Sequence, residues 1–191
     1  ERLLSRRTAE EEALCGLPIA VKDLTEVEGI RTTFGSDIFR DHVSLHSDPA
    51  VAHIERAGGI VLAKSNTPEF GASGNTSNEI FGATRNPWDT GRTAGGSTGG
   101  GAAALATGMV WLATGNDLSG SLRQPASFCG VVGLRPSMGR VPRPRRPVGY
   151  IGLTVEGPMA RTVEDCALLL DAMSGFDPHD PLSRDTHPRW F

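Results

Sequence analysis

The chain has 191 residues, 38% hydrophobic and 21% charged, with 19 Lys and Arg against 22 Asp and Glu and a net charge of −3. That is enough apolar content for a packed core and too little charge for wholesale disorder. The acidic balance excludes a nucleic-acid-binding module as a whole, and no apolar run reaches the roughly 18 residues that span a bilayer. The start, Glu1-Arg2-Leu3-Leu4-Ser5-Arg6-Arg7, is charged and is not read as a signal peptide. Without a Met it reads as the interior of a longer gene product. Cys15, Cys129 and Cys166 are odd in number and far apart, which fits small buried residues in a reducing, cytoplasmic setting.

In chain order, residues 1–14 read as the tail of a helix. Leu17-Pro18-Ile19-Ala20-Val21 reads as a buried strand ending at Lys22-Asp23. Asp48 and Pro49 are the N-cap and first residue of a helix with Val51, Ile54 and Ala57 on one face, stopped by Gly58-Gly59. Ile60 to Ala63 reads as the next strand. Strand, helix, strand implies a crossover unit and an α/β layer architecture. Residues 65–101 are rich in Gly, Ser, Thr and Asn. A helix over Ala102–Ala106 and a strand over Met109–Ala113 follow. Thr162-Val163-Glu164-Asp165 opens a last helix with a core stripe of Val163, Cys166, Leu170 and Met173, closed by Gly175. The whole reads as one domain, with residues 176–191 a loop-like tail.

Two stretches set glycine around serine: Gly95 to Gly101 with Ser97 inside, and Gly115-Asn116-Asp117-Leu118-Ser119-Gly120-Ser121-Leu122-Arg123. Small neighbours let backbone N–H groups converge, as an oxyanion hole requires. The first stretch lacks the Lys-Ser/Thr end of a phosphate-binding loop. It also fits G-x-S-x-G, but no strand precedes Ser97, and His179 and His187 lie in the terminal tail, which disfavours an α/β-hydrolase. A base other than His is then needed. Lys22 ends a buried strand, and desolvation lowers a lysine pKa toward neutrality.

These segments carry a resemblance. Gly16-Leu17-Pro18-Ile19-Ala20-Val21-Lys22-Asp23, the two glycine–serine stretches and Cys129-Gly130-Val131-Val132-Gly133-Leu134-Arg135-Pro136 resemble the amidase signature family. Asn66-Thr67-Pro68-Glu69-Phe70, Thr84-Arg85-Asn86-Pro87-Trp88 and Gly157-Pro158-Met159-Ala160-Arg161 match in the same order. The resemblance covers roughly residues 16–175. It implies an α/β core of mixed β-sheet covered by α-helices and an amide hydrolase that works without metal or organic cofactor. By position it implies Ser121 as nucleophile, Ser97 as middle serine after a cis peptide, and Lys22 as base. The N–H groups of Leu118, Ser119, Gly120 and Ser121 would hold the oxyanion.

Some positions depart from the family pattern. Thr98 replaces a second serine and keeps a hydroxyl. Asn116 stands where Thr or Ser is common. Ser119 replaces a glycine, so its φ is negative or the loop is strained. Asp117 and Arg123 flank the nucleophile as an expected ion pair that shapes the loop. Gln124 resembles the branch that hydrolyses glutamine within a tRNA-dependent amidotransferase, which needs a partner chain. Thr-Pro-Glu-Phe-Gly resembles stand-alone amidases, for which the partners are a small-molecule amide and, among assemblies, a homodimer, with neither nucleic acid nor membrane bound directly. The family is usually longer, so a fragment with an incomplete acyl pocket is a third reading. His42, His46 and His53 read as solvated loop histidines rather than metal ligands, and the run from Arg140 to Arg146 as a solvated loop.

Overall fold

A computed structural model describes residues 13–143 and 152–185. Of the helix tail expected over residues 1–14, residues 1–12 lie outside the described residues, as do the end of the arginine run and His187, and residues 13–14 belong to a turn. Five strands form one sheet: β1 (Pro18–Lys22), β2 (Ile60–Ser65), β3 (Leu112–Asp117), β4 (Val132–Gly133) and β5 (Val155–Ala160). Their order is β2-β1-β3-β5-β4. β1 is parallel to β2 and β3, while β5 is antiparallel to β3 and β4, so the sheet is mixed. Among the described residues four α-helices accompany it: α1 (Pro49–Arg56), α2 (Gly99–Ala106), α3 (Arg123–Cys129) and α4 (Val163–Met173). A two-stranded ribbon pairs Ser77–Asn78 with Gly82–Ala83 inside the glycine-rich region.

The core lies on both sides of β1 and β3. Ile19 and Leu112 pack with Ile54 of α1 and with Cys166, Leu169, Leu170 and Met173 of α4. Ala20 and Ala113 pack with Ala102 and Leu105 of α2 and with Leu122, Ala126 and Cys129. Alternation along the strands sends successive side chains to opposite layers. Small residues on the α2 side let that helix sit close to the sheet.

α1 begins with Asp48 as N-cap and Pro49 at its first position, as expected. The Asp48 carboxylate does not cap the helix, however; it accepts from the Glu26 N–H at 2.9 Å. Thr162 does cap α4, accepting from the Asp165 N–H at 3.1 Å. Val163 is a correction: it is 67% exposed. As the first residue of the helix it precedes the turns that meet the sheet, and the buried stripe starts at Cys166. Cys15 is also corrected, being exposed at a turn with φ of 42°, whereas Cys129 and Cys166 are buried.

The third expected strand is displaced. It runs Leu112–Asp117 rather than Met109–Ala113, with Met109 and Trp111 exposed before it. Gly115, Asn116 and Asp117, read as loop, are therefore buried strand residues. β2 likewise runs on to Ser65, and α2 begins at Gly99 rather than Ala102. α3 and β5 carry no local signal. β5 contains Gly157 and Pro158, residues that punctuate loops, yet all six of its positions are buried.

Candidate active site

Lys22 ends β1 and is 0% exposed. Its Nζ donates to Ser97 Oγ at 2.6 Å, Thr98 Oγ1 at 2.9 Å and Asn116 Oδ1 at 2.7 Å. These acceptors lie 75, 76 and 94 positions away along the chain. Burial pushes the Lys22 ammonium down to about 7. The negative charges of Glu156 and Asp117 resist that shift and the Arg143 guanidinium adds to it. A lysine with three hydrogen-bonding oxygens and little water around it can exist as the neutral amine near neutral pH.

Ser97 and Thr98 arrive from the turn that starts α2, and the Gly96–Ser97 peptide is cis. The glycines of this turn serve contact rather than anion binding. A Cβ on Gly100 would meet the Asn66 backbone nitrogen at 2.3 Å, so only glycine lets the two chain segments touch. Three of the N–H groups here are already used. Gly95 N–H donates to Thr93 Oγ1, Gly99 N–H to Thr76 Oγ1, and Gly100 N–H to Asn66 O.

The second glycine stretch is the end of β3 and the turn into α3. Asp117 is fully buried there and organises the turn. Its carboxylate accepts from the N–H groups of Gly120 at 2.7 Å and Leu122 at 3.2 Å, on either side of Ser121. Arg123 reaches it through Nε at 2.9 Å and Nη2 at 3.1 Å. Burial pushes this carboxyl up, but the hydrogen bonds from Arg123, Gly120 and Leu122 outweigh it and hold the group well below the usual carboxylate range. The expected Asp117–Arg123 pair is thus formed. Arg135 is a partner that sequence reasoning missed: its Nη1 lies 3.2 Å from Asp117 Oδ1 and also contacts the Asp117 carbonyl. A lone Arg before a proline gives no local sign of that role.

Ser121 is half-buried at this turn, and its hydroxyl makes no hydrogen bond among the described residues. Lys22 and Ser97 are therefore in contact, while the link from Ser121 to Ser97 is not made in this structure. Catalytic hydrogen bonds often tighten only when substrate is bound. Of the expected oxyanion donors, Gly120 is committed to Asp117, whereas the N–H groups of Leu118, Ser119 and Ser121 have no side-chain acceptor among the described residues. Ser119 is not strained, since the positive φ, 113°, falls on Gly120.

A cleft of about 460 Å³ opens beside this cluster, lined by Leu24, Phe34, Phe70, Asn116, Arg143 and Glu156 among others. Among the described residues no group of three His, Cys, Asp or Glu could hold a metal ion. His42 and His46 are not free loop histidines, because both reach the Glu26 carboxylate, at 3.4 and 2.7 Å. His53 reaches the Ser174 carbonyl, and His179 reaches Asp177 near the surface, far in kind from a catalytic triad.

A model of the amidase family matches residues 1–189. The chain belongs to the amidase signature family. A glutamyl-tRNA(Gln) amidotransferase subunit of Thermus thermophilus is 46% identical over 100% of this chain and 41% of its own length. Among solved structures, the corresponding amidotransferase chain of Thermotoga maritima superposes with a TM-score of 0.82 at 40% identity, over 90% of this chain and 38% of that one. A bacterial aryl acylamidase of the family superposes with a TM-score of 0.85 at 36% identity, over 91% and 37%. The mixed sheet with its covering helices is that of these enzymes. The chain spans about two-fifths of the length of the relatives it matches.

Proposed function

We propose that this chain carries the nucleophile and base of an enzyme that hydrolyses carboxamide C–N bonds. Neutral Lys22 takes a proton from Ser97 as Ser97 takes one from Ser121. The Ser121 oxygen attacks the amide carbon and forms a tetrahedral intermediate, with the N–H groups of Leu118, Ser119 and Ser121 facing the oxyanion. The Lys22 ammonium returns a proton through Ser97 to the leaving amine, and water hydrolyses the resulting ester by the reverse relay. Thr98, Asn116, Asp117 and Arg123 hold the frame. The observation that carries this reading is the burial of Lys22 with its Nζ 2.6 Å from Ser97 Oγ.

For the intact protein we favour glutamine as the amide, hydrolysed to supply ammonia in a cytoplasmic, multi-chain amidotransferase. Support comes from the relatives with 46% and 44% identity, each of them one chain of such an enzyme. A stand-alone amidase for small amides is the second reading, supported by the structural likeness to an aryl acylamidase. Among the described residues no helix is long and apolar enough to cross a membrane. A fluorophosphonate should label Ser121 of the intact protein, and glutamine should then be compared with aryl and alkyl amides. Ammonia release from glutamine, with or without partner chains, supports the first reading. Turnover of simple amides alone supports the second, and no label on Ser121 removes both.

A further inference from the structure

The Asn116 side chain has two ends in different surroundings. It is 7% exposed, on β3 beside Lys22. Its Oδ1 accepts from Lys22 Nζ at 2.7 Å. This contact fixes which way the amide faces: the ammonium has only donors, and the one lone pair of the neutral amine is turned to the Ser97 hydroxyl, so in both states Nζ offers Asn116 an N–H. The Nδ2 group must point the other way. It makes no hydrogen bond among the described residues, and Asn116 lines the 460 Å³ cleft. The Nδ2 donor is thus unused and accessible from the cleft, so an oxygen of a bound ligand can accept from it.

The rest of the cleft restricts that ligand. Leu24, Phe34 and Phe70 give it an apolar wall. Phe34 and Phe70 both hold left-handed backbone, with φ of 53° and 49°, and the Phe70 N–H donates to the Phe34 carbonyl at 2.8 Å. The wall runs up to the reacting centre: a Cβ on Gly71, next to Phe70, would lie 2.6 Å from Leu24 Cδ1 and 3.4 Å from Ser97 Oγ. The polar groups on the other side are already engaged. Asp48 accepts from the Glu26 N–H, Glu26 receives His42 and His46, and Glu156 lies 3.0 Å from Arg143.

We propose that Asn116 is a specificity-determining residue whose Nδ2 donates to a second oxygen acceptor, a carbonyl or a carboxylate, of the amide bound in this cleft. The proposal rests on the amide-hydrolysis reading and adds a substrate class to it: amides with an apolar spacer and another oxygen a few bonds from the scissile group.

The test compares hexanamide with 4-oxohexanamide and 5-oxohexanamide, which differ by one neutral acceptor, and with glutaramate, which carries a charged one. The intact protein should prefer an oxygen-bearing analogue over hexanamide by about 10-fold in kcat/KM, the effect of one buried hydrogen bond. Preference for the ketones identifies a carbonyl as the acceptor and preference for glutaramate a carboxylate. Asn116→Thr keeps an oxygen for Lys22 but is too short to reach into the cleft, and should bring the preference to within two-fold. Asn116→Asp keeps shape and oxygens but removes the donor, and should do the same. Calorimetric binding of the same compounds to Ser121→Ala protein, with and without each Asn116 change, gives the same ratios where a variant is too slow to assay. A native protein with no preference, or variants that keep it, would overturn the proposal. If instead no amide is turned over while binding still depends on Asn116, the hydrolysis reading fails and this one stands.

Discussion

The two halves of the candidate site are built by opposite means. Around Lys22 everything is buried and neutral in its contacts: two hydroxyls and an amide oxygen take the Nζ donors. Around Ser121 the frame is ionic, with one buried carboxylate gathering two arginines and two backbone N–H groups. A base needs desolvation to lose its proton near neutral pH, and a counter-ion in contact would defeat that. The nucleophile proposed at Ser121 needs an open approach, and its turn is held from behind by charge while the residue stays only half-buried. The Asp117 carboxylate is kept ionised by Arg123 and the turn amides, which lets it anchor the loop without a water shell.

The sharpest break in this contrast is Ser121→Ala in the intact protein. It should lower kcat by roughly 10⁴-fold or more with unchanged circular dichroism, as loss of a covalent nucleophile does. Lys22→Ala should come close to the same loss, with residual turnover rising at high pH as hydroxide substitutes for the base. Native kcat/KM should climb through a group with midpoint near pH 7 if, as proposed, the proton acceptor is the neutral Lys22 amine. A profile flat from pH 6 to 9 would remove Lys22 as the base.

The same amine couples stability to pH. Its folded pKa lies near 7 and its ordinary value at 10.5. Between those values the unfolded chain binds the extra proton, so stability should rise with pH across that window and be lowest below it. The span is worth up to about 5 kcal/mol. Lys22→Met should flatten the rise, measured as urea midpoints from pH 6 to 10. At the nucleophile turn the effects should be smaller and graded. Arg135→Ala should lower kcat by roughly 10-fold, because it removes a partner of both the carbonyl and the carboxylate of Asp117. Arg123→Ala should cost less, about 3-fold, because its side chain is 55% exposed and Arg135 remains. Equal losses would mean that the turn does not divide its load this way.

How much of this could be read from the chain follows from distance along it. Pro49 after Asp48, and Thr162 three residues before Asp165, mark helix starts within one turn, and both lie where the pattern put them. Lys22 at the end of an apolar run was legible as a buried lysine for the same local reason. Ser97 and Ser121 were legible only through several motifs in register, since nothing in a Gly-Ser-Thr run distinguishes packing from anion binding. The Asn66 contact of Gly100 decides that question in space. Asn116 and Arg135 act on partners 94 and 18 positions away, and neither leaves a periodicity. The strand Val155–Ala160 was hidden because Gly157 and Pro158 usually end strands. Here burial on both faces, between β3 and β4, outweighs that preference.

The central statement concerns one amine, and nitrogen-15 NMR of the Lys22 Nζ in the intact protein reads it directly. A titration midpoint near pH 7, moved by Asn116→Asp toward higher pH as a facing carboxylate favours the ammonium, is the expected result. A midpoint that stays near 10.5 would mean a permanently charged lysine, unable to accept a proton from Ser97.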